Sequence, residues 1–87
     1  MRISFQTWKK GRMEKDLLIE DFEEDSRTHK ILNALEKACM SLDLSVPIWL
    51  DGNVRDFKRR SRTRFTRDSF MEDIPFDYLE IRVIEED

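Results

Sequence analysis

The sequence has one cysteine, one histidine, two glycines and two prolines in 87 residues. Each scarcity removes a class of protein. A single cysteine, Cys39, builds neither an intrachain disulfide framework nor a cysteine-based zinc site. Two glycines cannot make a phosphate-cradling loop, and neither Gly11 nor Gly52 stands in such a motif. No apolar run approaches the ~18 residues that a membrane-spanning helix needs. The stretch from Met1 to Phe5 lacks the apolar centre of a secretory signal. These absences predict a soluble chain in a reducing, cytoplasmic setting, with no membrane partner.

What is present is charge and aromatic bulk. Charged residues make up 40% of the chain and apolar ones 39%. Six Phe, two Trp and one Tyr carry the large burial areas that disordered chains are short of. The length predicts a single domain over residues 1–87 with one thin core.

Hydrophobic periodicity places the elements. Ile3, Phe5 and Thr7 alternate with Arg2, Ser4 and Gln6, a half-buried strand. Lys9 to Arg12 form a turn with Gly11 at positive φ. Leu17 and Ile19 alternate in a second strand. A three-residue loop puts Phe5 opposite Leu17 and Ile3 opposite Ile19, whereas a two-residue loop puts Phe5 opposite Asp16. The first register is expected, because a slip by one exposes the apolar set. Asp25 or Ser26 then caps a helix over about residues 27–43. Its apolar stripe is Ile31, Leu32, Leu35, Ala38, Cys39 and Leu42, with Lys30, Asn33, Glu36 and Lys37 on the polar side. Val46 to Leu50 reads as an edge strand or an extended crossing segment. Asp51 is expected to cap a shorter helix through about Arg60, with Val54 and Phe57 inward. Residues 61–70 are open between an extended piece and a helical turn capped by Thr66. Leu79, Ile81 and Val83 alternate in a last strand, with Tyr78 and Ile84 on its other face. The expected fold is α+β: a small, mainly antiparallel sheet built from a hairpin and a C-terminal strand, with the helices on one face. Trp8, Leu18, Tyr78 and Ile84 fall on the other face, as a minor core or a docking patch.

Catalytic constellations are missing. His29 sits in the first turn of the long helix. Cys39 lies ten residues on, about 15 Å of rise and about 280° of rotation away, so the two cannot act together. Cys39 also falls on the apolar stripe, where a thiol packs as a small hydrophobe. Asp21, Glu23, Glu24 and Asp25 lack the spaced ligands and glycine of a calcium loop. The expectation is a chain that is not an enzyme, with no cofactor, metal or small-molecule substrate.

The one feature that stands out is a block of charge. Residues 55–67 hold seven basic residues against Asp56 alone, whereas residues 68–87 hold eight acids against Arg82. The seven are Arg55, Lys58, Arg59, Arg60, Arg62, Arg64 and Arg67. Six are arginines, whose planar fork suits phosphate and carboxylate. Ser61, Thr63 and Thr66 add hydroxyl donors. A net charge of −3 and a pI near 5.2 oppose indiscriminate coating of nucleic acid, so only a local, oriented patch could recruit a polyanion. Three readings follow: contacts to a nucleic-acid backbone, contacts to an acidic protein surface such as another copy of the chain, or neutralisation within the fold by Asp68, Glu72, Asp73, Asp77 and Glu80. No zinc-finger, RRM, KH or basic-zipper signature is present.

Several short stretches carry a resemblance. Thr28-His29-Lys30-Ile31, Pro47-Ile48-Trp49-Leu50-Asp51, Phe57-Lys58-Arg59, Thr63-Arg64-Phe65 and Phe76-Asp77-Tyr78-Leu79-Glu80-Ile81, followed by Glu85-Glu86-Asp87, resemble a family of short uncharacterised bacterial proteins. The resemblance spans about the last two-thirds of the chain. It implies a bacterial, cytosolic origin and assigns no activity and no site residue.

Overall fold

The computed structural model describes residues 1–87. Strands β1 (Arg2–Lys9) and β2 (Arg12–Glu20) lead into helices α1 (Arg27–Ser41) and α2 (Asp51–Arg60). Strand β3 (Arg62–Thr66), a 3-10 turn (Arg67–Ser69) and strand β4 (Tyr78–Glu85) complete the chain. The four strands form one fully antiparallel sheet in the order β2-β1-β4-β3. The hairpin, the two helices and the C-terminal strand are thus as expected. The ambiguous stretch after residue 60 supplies a fourth strand.

The hairpin reaches its expected register by another route. Ile3 pairs with Ile19 and Phe5 with Leu17. Yet the loop holds two residues, Lys10 (φ 51°) and Gly11 (φ 75°), in the doubly positive conformation of a tight hairpin turn. A bulge between Thr7 and Trp8 makes up the missing residue by leaving Glu14 without a partner. Burial of Leu17 and Ile19 decides the register, and the bulge absorbs the mismatch.

Ile3, Phe5, Leu79, Ile81 and Phe65 are essentially fully buried on one face of the sheet. Against them lie Ile31, Ala34, Leu35, Ala38 and Cys39 of α1 and Phe57 of α2. Trp49 packs edge-on to Phe57 (5.4 Å) and Phe65 (4.9 Å). Ser26 caps α1, its Oγ accepting from the His29 N–H at 3.2 Å. The N-cap of α2 is Leu50, not Asp51. Asn53 Oδ1 reaches back to accept from the Leu50 N–H at 3.0 Å, which does the work expected of Asp51. Asn53 is also the buried partner of Phe57, where Val54 was expected; Val54 is 39% exposed. Val46–Leu50 joins no strand ladder and crosses in extended form, with the Ile48 N–H donating to the Ser69 carbonyl. No helix is long and apolar enough to cross a membrane.

On α1 two side chains depart from the expected stripe. Leu32 is 45% exposed, while Lys30, expected on the polar side, is buried. Lys30 Nζ donates to Asp87 Oδ2 at 2.6 Å, and the Met1 amine donates to Asp87 Oδ1 at 2.7 Å. These bonds hold the Asp87 carboxyl below its ordinary 3.8 and raise Lys30 above its ordinary 10.5. The carboxylate's contribution is therefore complete above pH 3.8 and lost as pH falls through its lower folded value. The lysine's is complete below pH 10.5 and lost as pH rises through its higher folded value.

Two measurements check this packing. Asn53 Nδ2 donates to Thr63 Oγ1 and to the Arg64 carbonyl, both at 2.9 Å. Asn53→Ala leaves those groups and the Leu50 N–H short of partners, and urea unfolding is expected to show a loss of about 2–3 kcal/mol. For Asp87→Asn, the stability gap to the wild type is expected to be constant near neutrality and to close as pH falls below 3.8.

Candidate functional site

Both helices lie on the face of the sheet that carries Phe5 and Leu79, so the opposite face has no helical cover. Alternation along the strands sends Arg62, Arg64 and Thr66 to that open face from β3, and Tyr78, Glu80 and Arg82 from β4. Ser4, Gln6 and Trp8 reach it from β1. Ser61 has φ 55°, the left-handed region, and its N–H closes α2 by donating to the Phe57 carbonyl at 2.9 Å. The chain therefore turns from helix to strand with no intervening loop. Arg60 and Arg62, on either side of that turn, share one polar cleft with Asp56, Thr63, Arg64 and Glu80, of about 330 Å³.

Register then produces an unusual pair. The Val83 N–H donates to the Ser61 carbonyl at 2.9 Å, so the next rung, Arg62 with Arg82, is a non-hydrogen-bonded one. At such rungs the side chains stand closest, with Cβ atoms about 4.5–5.5 Å apart. Two exposed arginines thus face each other. Neither has a carboxylate oxygen within 4 Å. The nearby acids are engaged elsewhere: Glu80 meets Arg64 at 3.4 Å, and Glu20 and Glu85 meet Arg2 at 3.2 and 3.5 Å.

The rest of the basic segment is dispersed. Arg55 and Arg59 lie on the side of α2 opposite Phe57, facing away from the sheet. Lys58 borders an apolar groove of about 230 Å³ between α1 and α2, lined by Ile31, Leu32, Trp49, Val54 and Phe57. Arg67 is exposed in the 3-10 turn. Of the seven basic residues, only Arg64 pairs with a carboxylate of the chain. Among the acids expected to neutralise the segment, Glu72 instead accepts from the Ser45 N–H at 2.9 Å, and Asp77 from the Lys10 N–H at 2.8 Å.

Aromatic residues extend the open face. Trp8 and Tyr78 lie opposite each other on β1 and β4, with ring centroids 6.3 Å apart and planes 18° from parallel. The Arg64 guanidinium sits 4.5 Å from the centre of the Tyr78 ring. Trp8 Nε1 donates to Gln6 Oε1 at 3.2 Å, which satisfies its one polar atom. Leu18 and Ile84 are 48% and 59% exposed, so they form no second core.

Cys39 is buried, and its surroundings push the thiol up to about 11, so it packs as a neutral side chain. His29 is exposed and its Nδ1 lies 3.0 Å from Asp25 Oδ1. Arg82 joins this candidate face only through the pairing of β4 with β3, which strand alternation alone does not reveal. The signal was the match in phase between positions 62, 64, 66 and 78, 80, 82. Compared with protein-family models, curated proteins and solved structures, the chain gives no match.

An unpaired like-charge rung weakens the free protein. Arg82→Glu is therefore expected to stabilise it, by about 0.2–1 kcal/mol, or a rise of a few degrees in Tm. A lower melting temperature would show that the two guanidinium groups do not repel.

Proposed function

We propose that the chain is a non-enzymatic, cytoplasmic binding module that grips the phosphates of a nucleic acid with the arginines of its open sheet face. The observation that carries this reading is the Arg62–Arg82 rung, two exposed arginines opposite each other in register with no carboxylate partner of their own. Such a pair is disfavoured in the free chain and relieved by an anion placed between the two forks. Arg60 and Arg64 stand in the adjoining cleft. Asp56 and Glu80 border the same cleft and limit how much negative charge it accepts, in keeping with a net charge of −3. Arg55, Lys58, Arg59 and Arg67 supply no defined contact on this face.

An acidic protein surface, another copy of the chain included, is the second reading. It is favoured by the groove between α1 and α2, where Arg27 and Lys58 flank exposed Leu32 and Val54. Light scattering separates the homotypic case, because self-association gives a mass that rises with concentration and falls with salt.

Salt titration of binding to DNA and to heparin tests the proposal. Log affinity is expected to fall linearly with log salt, with a slope of about −0.7 to −0.9 per phosphate engaged. Arg62→Ala and Arg82→Ala should each weaken binding and flatten the slope by about one such step, with melting unchanged or improved. Arg55→Ala and Arg59→Ala should leave the slope in place. Equal losses at all four positions would contradict a site on the sheet.

A further inference from the structure

Resting on that reading, we infer that the nucleic acid is single-stranded and that an unpaired base stacks against Trp8, next to Tyr78, whose own ring lies under the Arg64 guanidinium. The open face holds two kinds of recognition group in ordered rows. The first row is aromatic: Trp8 and Tyr78 are stacked near-parallel, half-buried and without a helix above them. The next row across the strands carries Arg64, whose guanidinium lies over Tyr78, together with Glu80 and Gln6. The third carries the Arg62–Arg82 pair.

Strand rise places successive rows on the same face about 6.6 Å apart, so the aromatic row and the arginine pair are separated by about 13 Å. That span suits a strand laid across the sheet, with bases at one end and phosphate at the other. In a duplex the base faces are occupied by neighbouring bases, so the half-buried Trp8 ring finds a stacking partner only on an unpaired strand. The indole N–H of Trp8 is already bonded to Gln6, so the ring makes no polar demand and tolerates any base. Stacking also answers the charge problem. A chain of net charge −3 has little long-range attraction for a polyanion and needs a short-range, non-ionic contribution.

The test compares three kinds of probe at one salt concentration: single strands (fluorescein-labelled oligo-dT and oligo-rU of about twelve nucleotides), a mixed-sequence duplex of equal length, and heparin. It uses the full chain and a Trp49→Phe variant, which keeps an aromatic against Phe57 and Phe65 and leaves Trp8 as the only tryptophan. The single strands are expected to bind about ten-fold more tightly than the duplex and to quench Trp8 emission. Heparin, which has no bases, is expected to bind without quenching. Trp8→Ala should weaken oligonucleotide binding about ten-fold and leave heparin binding unchanged. Should that variant fail to fold, the quenching result in Trp49→Phe decides alone. Heparin binding with equal affinity for duplex and single strand, or with no quenching by either oligomer, overturns the single-strand inference and leaves the anion site standing. No binding by any of the three overturns both.

Discussion

Two helices shield one face of a four-stranded sheet and leave the other bare. The constraint is volume. One helix of 15 residues and one of 10 supply enough apolar surface to bury Ile3, Phe5, Leu79, Ile81 and Phe65, and nothing remains to cover the reverse side. Because side chains alternate across a strand, burying odd-numbered positions of β1, β3 and β4 commits the even-numbered ones to the open face. Arg62, Arg64, Tyr78, Arg82 and Trp8 stand where they do for that reason. The surface on which function is proposed is thus fixed by packing on the opposite side.

The same constraint explains why charge pairing is incomplete. Carboxylates in the last twenty residues outnumber the arginines of the open face, yet few of them lie on it. Glu85 and Glu80 are drawn to Arg2 and Arg64, Glu86 pairs with Arg27, and Asp87 ties Lys30 and the chain's amino group together. Glu72 and Asp77 accept from backbone N–H groups of loops. These acids bind the ends and turns of the fold to one another. Arg62 and Arg82 are left with each other.

Much of the architecture was legible because it rests on strong periodic signals. Ile3 and Phe5, Leu17 and Ile19, Leu79 and Ile81, and Ile31, Leu35, Ala38 and Cys39 of the helical stripe each predict their element and their buried side. Strand β3 was ambiguous because three of its five residues are Arg or Thr on the exposed side and only Thr63 and Phe65 face inward. Lys30 misled because its hydrocarbon stem can be buried while its amine reaches Asp87, a partner 57 residues away. The role of Asn53 depends on three bonds to segments distant or folded back upon it, which no local pattern announces. The site was half legible. The charge block from Arg55 to Arg67 contains Arg60, Arg62 and Arg64 of the open face and its cleft, but periodicity could not tell which arginines share a surface. That depended on Ser61 turning the chain and on β4 lying beside β3, and only strand pairing brings Arg82 in.

The most direct measurement follows the side-chain Nε–Hε resonances of the arginines by NMR while oligo-dT is added at low salt. The account places the largest changes at Arg62 and Arg82, then Arg60 and Arg64, with Arg55 and Arg59 nearly still. Changes concentrated at Arg55, Arg59 and Arg67, with the 62–82 rung unmoved, would put the partner on the helical side and contradict it.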